Sequence, residues 1–305
     1  MSIRKSGNDS EKNARKQSDD ENINKCNTDE SKVCYNTNED KIMKTIFLTS
    51  NIGGYKKTAK GNQVVKEVIK CDNSNGFIDR LKAVLPKIKT FVFVASDPDC
   101  PSKTDEYANI IVDALNLDGF EIESLTVIDH RFKGNIEEVI SFADLVFLSG
   151  GNVPTQNKYF KEIKLKSILD NFNGVIIGQS AGSMNCSRVV YTQPEEDEEF
   201  EDANYQRILS GLGLVDFAIM PHMNSANEID SQGHPSVMQM CLQDSYVIPH
   251  YGIFDYGFIE IQGRKATAHG KTLLIKNGQC IELCGDKETI EIDNNLLATS
   301  DIIKD

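Results

Sequence analysis

The sequence predicts an α/β fold: a mostly parallel sheet flanked by helices on both faces, completed by short antiparallel C-terminal strands. Three observations predict it. Short, unbroken apolar runs recur between residues 44 and 178. Stretches with apolar residues at helical spacing lie between them. Beyond Cys186 the pattern changes to strand-like runs joined by turn-forming residues. Parallel strands covered by helices on both faces read as continuous apolar runs, which is why repeated β-α-β units imply a three-layer arrangement.

Residues 1–42 stand apart. They are rich in Asn, Asp, Glu, Ser and Lys, with few apolar positions and no period. Such a segment cannot bury enough apolar surface to offset its ordering entropy. It is expected to be a disordered tail, with Met43 opening a single folded domain over residues 43–305.

Within that domain the expected elements follow in order. Lys44–Ser50 is a first buried strand and 75–85 a helix. Thr90–Ser96 is a second strand. Tyr107–Leu115 is an amphipathic helix with Ala108, Ile111, Val112 and Leu115 at helical spacing. Glu121–Val127 alternates and suits a third strand, and Gly134–Ser141 a short helix. Leu145–Ser149 is a fourth strand, Thr155–Leu169 a helix, and Gly174–Gly178 the fifth strand. Further short strands are expected at Phe217–Met220, Tyr246–Ile248 and Gly257–Ile261, with turns at Gly263-Arg264-Lys265 and Lys276-Asn277-Gly278.

Ligand chemistry in parallel sheets gathers at the carboxyl ends of the strands. Ser50, Ser96, Ser149-Gly150-Gly151-Asn152 and Ser180 fall at such ends and are expected to line one crevice. Gly178-Gln179-Ser180-Ala181-Gly182 reads as strand, sharp turn and helix. A serine at such a turn stands clear of the sheet, and the next N–H, that of Ala181, points where an oxyanion would form. A Gly-rich turn that merely contains serine is the plainer reading, since a bare G-x-S-x-G also arises by chance.

A nucleophilic serine needs a base and an acid to orient it. Of five histidines, His222 follows an apolar strand that ends at Pro221, and His250 has a similar Pro-His context. The acid is sought in Pro194-Glu195-Glu196-Asp197-Glu198-Glu199, where a solvated acidic loop is the default reading. Glu195, rigidified by Pro194, is the first choice, and Glu196 and Glu198 stay open. Gly151 N–H with Ala181 N–H would form a two-donor oxyanion hole.

Together these segments resemble peptidase E, the S51 family of serine peptidases. The residues that carry the resemblance are Ser149-Gly150-Gly151-Asn152, Gly178-Gln179-Ser180-Ala181-Gly182 and Pro221-His222-Met223-Asn224. It spans about residues 43 to 290 and implies a class I glutamine-amidotransferase-like, flavodoxin-like fold with serine in place of cysteine. It implies Ser180 as nucleophile, His222 as base, an Asp or Glu after the serine as third member, and Gly151 and Ala181 as oxyanion donors. Gly150, Asn152, Asn224 and His234 are implied to contribute to the substrate pocket. No metal or organic cofactor is implied, and the partner is a short peptide, with an acidic N-terminal residue as one option. Arg188 and Arg207 are the candidate cations for such a residue.

Composition excludes other classes. A net charge of -13 lacks the basic footprint of a nucleic-acid binder, and no apolar run approaches a membrane span. No secretory signal follows Met1, and eight scattered cysteines without a CxxC pair read as free thiols of a cytoplasmic protein. Cys186 reads as core. The oligomeric state is left open, a homodimer being one option. A serine esterase and a non-catalytic interaction protein on the same scaffold are the alternatives. Only 42 residues separate Ser180 from His222, fewer than an α/β-hydrolase esterase normally needs.

Overall fold

Five short apolar runs pair side by side to form the centre of the molecule. The computed structural model describes residues 44–60, 63–195, 197–229 and 231–297. The tail expected over 1–42 lies outside the described residues. Thr45–Thr49, Val175–Gln179, Leu145–Leu148, Thr90–Val94 and Ser124–Ile128 are mutually parallel, in that order across the sheet. On the outer side of Thr45–Thr49, the antiparallel strands Phe258–Gln262, Lys265–His269 and Thr289–Ile292 extend it to eight.

Successive residues of a strand face opposite sides, and here both sides are buried. Leu48, Val92, Val94, Val146, Leu148 and Ile176 join one core cluster. Phe47, Phe91, Phe93, Phe147, Val175 and Ile177 join the other. Each such side chain contributes about 1.5–3 kcal/mol on burial, so the register of the central strands is tightly specified.

The flanking helices follow their sequence cues. Pro101–Leu117 opens on a proline, whose missing N–H is no loss in a first turn. It buries Thr104, Ala108, Ile111 and Leu115 along one face. Val153–Glu162 is capped by Asn152, whose side chain accepts the Thr155 N–H.

A second, four-stranded sheet runs in the order Ala218–Met220, His250–Ile253, Thr272–Lys276, Gln279–Cys284. Its first pair is parallel, with Met220 opposite Gly252. Asn277 and Gly278 both take positive φ in the tight turn that joins the last two strands.

Several elements differ from expectation, among them the following. Gly53–Lys60 and Gln63–Cys71 form an antiparallel hairpin over a stretch for which no element was expected. The helix expected over Thr155–Leu169 is two, because Lys164 takes a left-handed conformation (φ 54) and starts Leu165–Asn171 on a new axis. The strand expected at Tyr246–Ile248 is a turn leaving helix Val237–Asp244. Val247 and Ile248 N–H groups both donate to the Asp244 carbonyl, and pairing starts only at His250.

Candidate active site

The strand Val175–Gln179 lies between Thr45–Thr49 and Leu145–Leu148, and the helix Ala181–Asn185 starts directly beyond it. Ser180 makes the reversal with φ 52 and ψ −115. That is a sparsely populated conformation for a non-glycine residue, costing on the order of 1–3 kcal/mol. The surroundings hold it. Ser180 N–H donates to the Thr49 carbonyl at 2.9 Å. Ser183 Oγ lies 2.7 Å from the Gly178 carbonyl and accepts the Thr49 N–H at 2.8 Å. The flanking glycines are required by space. A Cβ at Gly182 would lie 2.1 Å from the Leu148 carbonyl oxygen, and one at Gly178 2.8 Å from Ser183 N.

His222 stands just past strand Ala218–Met220, also at positive φ (58). Its Nε2 is 2.9 Å from Ser180 Oγ. Its Nδ1 is 2.8 Å from Asp255 Oδ1. With the imidazole neutral and its proton on Nδ1, it donates to Asp255 and accepts the Ser180 hydroxyl proton at Nε2.

Asp255 comes from the end of the neighbouring strand, His250–Ile253. Ser50 Oγ donates to its Oδ1 at 2.7 Å and accepts the His222 N–H at 2.8 Å. Asn224 Oδ1 accepts the Asp255 N–H at 2.6 Å. The hydrogen bond from His222, helped by that from Ser50, holds the Asp255 carboxyl below the usual carboxylate range, against the opposing effect of burial.

In front of Ser180 opens a crevice of about 630 Å³. Ser96, Ser149, Gly150, Gly151, Asn152 and Ser180 line it with His222, whereas Ser50, also expected there, is buried behind His222 and Asp255 because its hydroxyl bonds both. Gly150 packs against the nucleophile, where a Cβ would lie 3.2 Å from Ser180 Cβ. A Cβ on Gly151 would lie 2.3 Å from Ser96 Oγ. Tyr55 and Lys66 of the hairpin and Lys103, Glu106 and Tyr107 of helix Pro101–Leu117 also line it. Lys66 Nζ bonds Glu106 at 2.8 Å and sits 4.1 Å from the centre of the Tyr107 ring.

Residues 70–269 match the family model described as peptidase family S51. The chain belongs to peptidase family S51. It is therefore a serine peptidase. The fold is shared with a crystal structure of a peptidase from an acI-B1 Actinobacterium, 14% identical over 83% of this chain and 98% of that one, with a TM-score of 0.54. A candidate peptidase E protein from Listeria monocytogenes EGD-e is 19% identical over 73% of this chain and 96% of that one, with a TM-score of 0.49. No curated protein sequence matches the chain.

The structure of this S51 peptidase brings Ser180 and His222 together but not Glu195. Glu195 is exposed, and its N–H donates to Glu199 Oε2, at the foot of the short acidic helix Asp197–Glu201. The residue beside His222 is Asp255. The physical reason is strand adjacency: Met220 and Gly252 are paired, so the residues just beyond both strands meet. Glu198 is exposed on the acidic helix, and Glu196 lies outside the described residues.

His250 is fully buried, Nδ1 toward the Ile248 carbonyl at 3.0 Å, and its pKa is lowered to about 4 by burial. It takes no part in the crevice. His234 is not on the crevice either; its ring stacks on Phe200 at 3.9 Å. Asn224 supports Asp255 rather than lining the crevice. Arg188 pairs with Asp216 and Arg207 with Asp244, both away from the crevice, whose lysines are Lys66 and Lys103. Cys186 is core, its thiol pushed up to about 12 by burial. Among the described residues no helix is long and apolar enough to cross a membrane.

The signal for Asp255 was present in the sequence. Tyr251-Gly252-Ile253-Phe254-Asp255-Tyr256-Gly257 is a short strand-like run broken by an acid before a glycine. His222 likewise follows a short apolar strand, there ended by Pro221.

Proposed function

We propose that this chain hydrolyses dipeptides or other short peptides through a triad of Ser180, His222 and Asp255, passing through an acyl-enzyme. The observation that carries this is the unbroken line from Ser180 Oγ to His222 Nε2 (2.9 Å) and from His222 Nδ1 to Asp255 Oδ1 (2.8 Å).

The chemistry follows from that line. His222 takes the Ser180 proton as Oγ attacks the scissile carbonyl, and then gives it to the departing amine. Asp255 keeps the Nδ1–H tautomer in place and stabilises the imidazolium as it forms. Gly151 and Ala181 N–H groups hold the developing oxyanion. Water, activated by His222, releases the acyl group. Every step uses side chains and N–H groups of the chain itself, so no cofactor enters the scheme.

A short substrate is supported by the size of the crevice, about 630 Å³, which Tyr55, Lys66 and Tyr107 line together with Ser180. An acidic substrate residue would meet Lys66 or Lys103 rather than Arg188 or Arg207. The non-catalytic reading needs His222 turned from Ser180, or no carboxylate at His222, and the distances run against both. Free thiols at Cys71, Cys100, Cys186, Cys241, Cys280 and Cys284 are in keeping with a reducing cytoplasm.

The test is hydrolysis of a dipeptide panel with Asp, Glu and neutral N-terminal residues, by wild type and Ser180→Ala. Cleavage lost with the substitution supports the proposal, and the preferred residue names the substrate. Cleavage that survives Ser180→Ala would refute it.

A further inference from the structure

A glycine pair holds its own backbone poorly, yet Gly150 and Gly151 must present an N–H at a fixed point. One side chain holds them from behind. Gln156, on helix Val153–Glu162, has no exposed surface. Its Nε2 donates to the Ser149 carbonyl at 2.6 Å, and its backbone N–H donates to the Asn152 carbonyl at 3.1 Å. The two bonds bracket the glycine pair.

The same amide reaches the nucleophile. Gln156 Oε1 accepts from Asn185 Nδ2 at 3.0 Å, and Asn185 ends the helix that begins at Ala181. Asn185 is fully buried, and its Oδ1 accepts from Asn157 Nδ2 at 2.8 Å. Donors and acceptors run in one sense along the chain of amides. Neither Gln156 nor Asn185 can turn over without losing bonds at both of its ends.

We propose that Gln156 is a positioning residue that registers the Gly150-Gly151 oxyanion loop to the Ser180 helix. This rests on the serine-peptidase scheme above. Fixing the Ser149 carbonyl fixes the plane of the planar Ser149–Gly150 peptide. The far side is anchored by the helix itself, whose first backbone bond runs to the Asn152 carbonyl whatever the side chain at 156. The Gly151 N–H between them is thereby set relative to Ser180, whose own helix is tied to the same amide. Gln156 touches no substrate; it acts through the loop.

The experiment compares Gln156→Met, similar in size without a donor, and Gln156→Glu, which keeps the acceptor for Asn185. Both are measured for kcat, KM and affinity for a peptide aldehyde that forms a tetrahedral adduct. The expected result is a kcat lower by about 10- to 100-fold, KM nearly unchanged, and aldehyde affinity reduced in step with kcat. Folded variants with wild-type kcat and aldehyde affinity, whatever their thermal stability, would overturn the role. Should neither variant fold, a wild-type crystal structure with the aldehyde decides. A Ser149 carbonyl still bonded to Gln156 supports the role, and a flipped Ser149 peptide overturns it. Labelling of wild-type Ser180 by a fluorophosphonate separates the two levels. Its failure sinks the serine scheme itself, whereas normal labelling with fully active variants sinks only Gln156.

Discussion

His222 and Asp255 are 33 residues apart in sequence, and their side chains meet at 2.8 Å. They do so because they follow the carboxyl ends of two adjacent parallel strands, in which Met220 pairs with Gly252. Neither side chain needs a long loop to reach the other. The Ser50 hydroxyl closes the arrangement from the larger sheet.

The choice of acid is open to a direct comparison. Asp255→Asn should lower kcat by about 10³–10⁴-fold by holding the wrong imidazole tautomer. Glu195→Gln should leave kcat within about twofold, as expected of an exposed surface carboxylate. Steady-state kinetics of the two variants side by side would decide, and the reverse pattern would restore Glu195.

Ser50→Ala should have two effects. It removes a hydrogen bond that favours the ionised Asp255, so the Asp255 pKa should rise towards the ordinary value. It also frees the His222 backbone, and kcat should fall by roughly tenfold. The stability that ionised Asp255 contributes is present above its unfolded pKa, about 3.9, and is lost as pH falls through the lower folded value. An NMR titration of the Asp255 carboxyl carbon would read the shift. A value unchanged or lower in the variant would count against the Ser50 contact.

Gly182→Ala places a methyl group 2.1 Å from a backbone oxygen on a central strand. Neither partner is a flexible side-chain tip, so the nucleophile helix must move. Loss of about 1–3 kcal/mol in stability is expected, together with a drop in kcat as Ser180 shifts. Denaturant unfolding checks the first and kinetics the second. A neutral variant would mean that the elbow is loose.

His250 should make the fold acid-sensitive. Its folded pKa, about 4, lies below the unfolded value of about 6.5. The unfolded chain therefore binds the proton first. His250's stabilising effect is complete above pH 6.5 and declines between 6.5 and 4, by about 3 kcal/mol in all. In His250→Leu that part of the pH dependence should be absent. Unfolding free energies from pH 4 to 7 would show it, and parallel curves for the two proteins would exclude it.

Ser180 and His222 were legible in sequence because each is marked locally, by an apolar run broken at glycine or proline. The central strands were legible for the same reason: burial on both faces writes itself as Phe91-Val92-Phe93-Val94 or Val175-Ile176-Ile177. Asp255 carried a similar mark, but which two strand ends become neighbours is decided by pairing across the fold. Glu195 satisfied the order expected from the resemblance, and chain order says nothing of spatial adjacency. The hairpin was missed because Tyr55–Lys60 and Val64–Lys70 are lysine-rich and only weakly alternating. Its strands rest partly on each other and partly on helix Pro101–Leu117, so no buried face imposes a strong period.

The site is divided between the two sheets. Ser180 and Ser50 belong to the larger sheet, while His222 and Asp255 belong to the smaller one. A chain that has built its elbow but not yet seated the second sheet carries a strained serine with no base. On the proposed triad such a chain would be without hydrolytic activity. Both sheets bury side chains in one shared core cluster, so activity should be lost together with the fold when the protein unfolds.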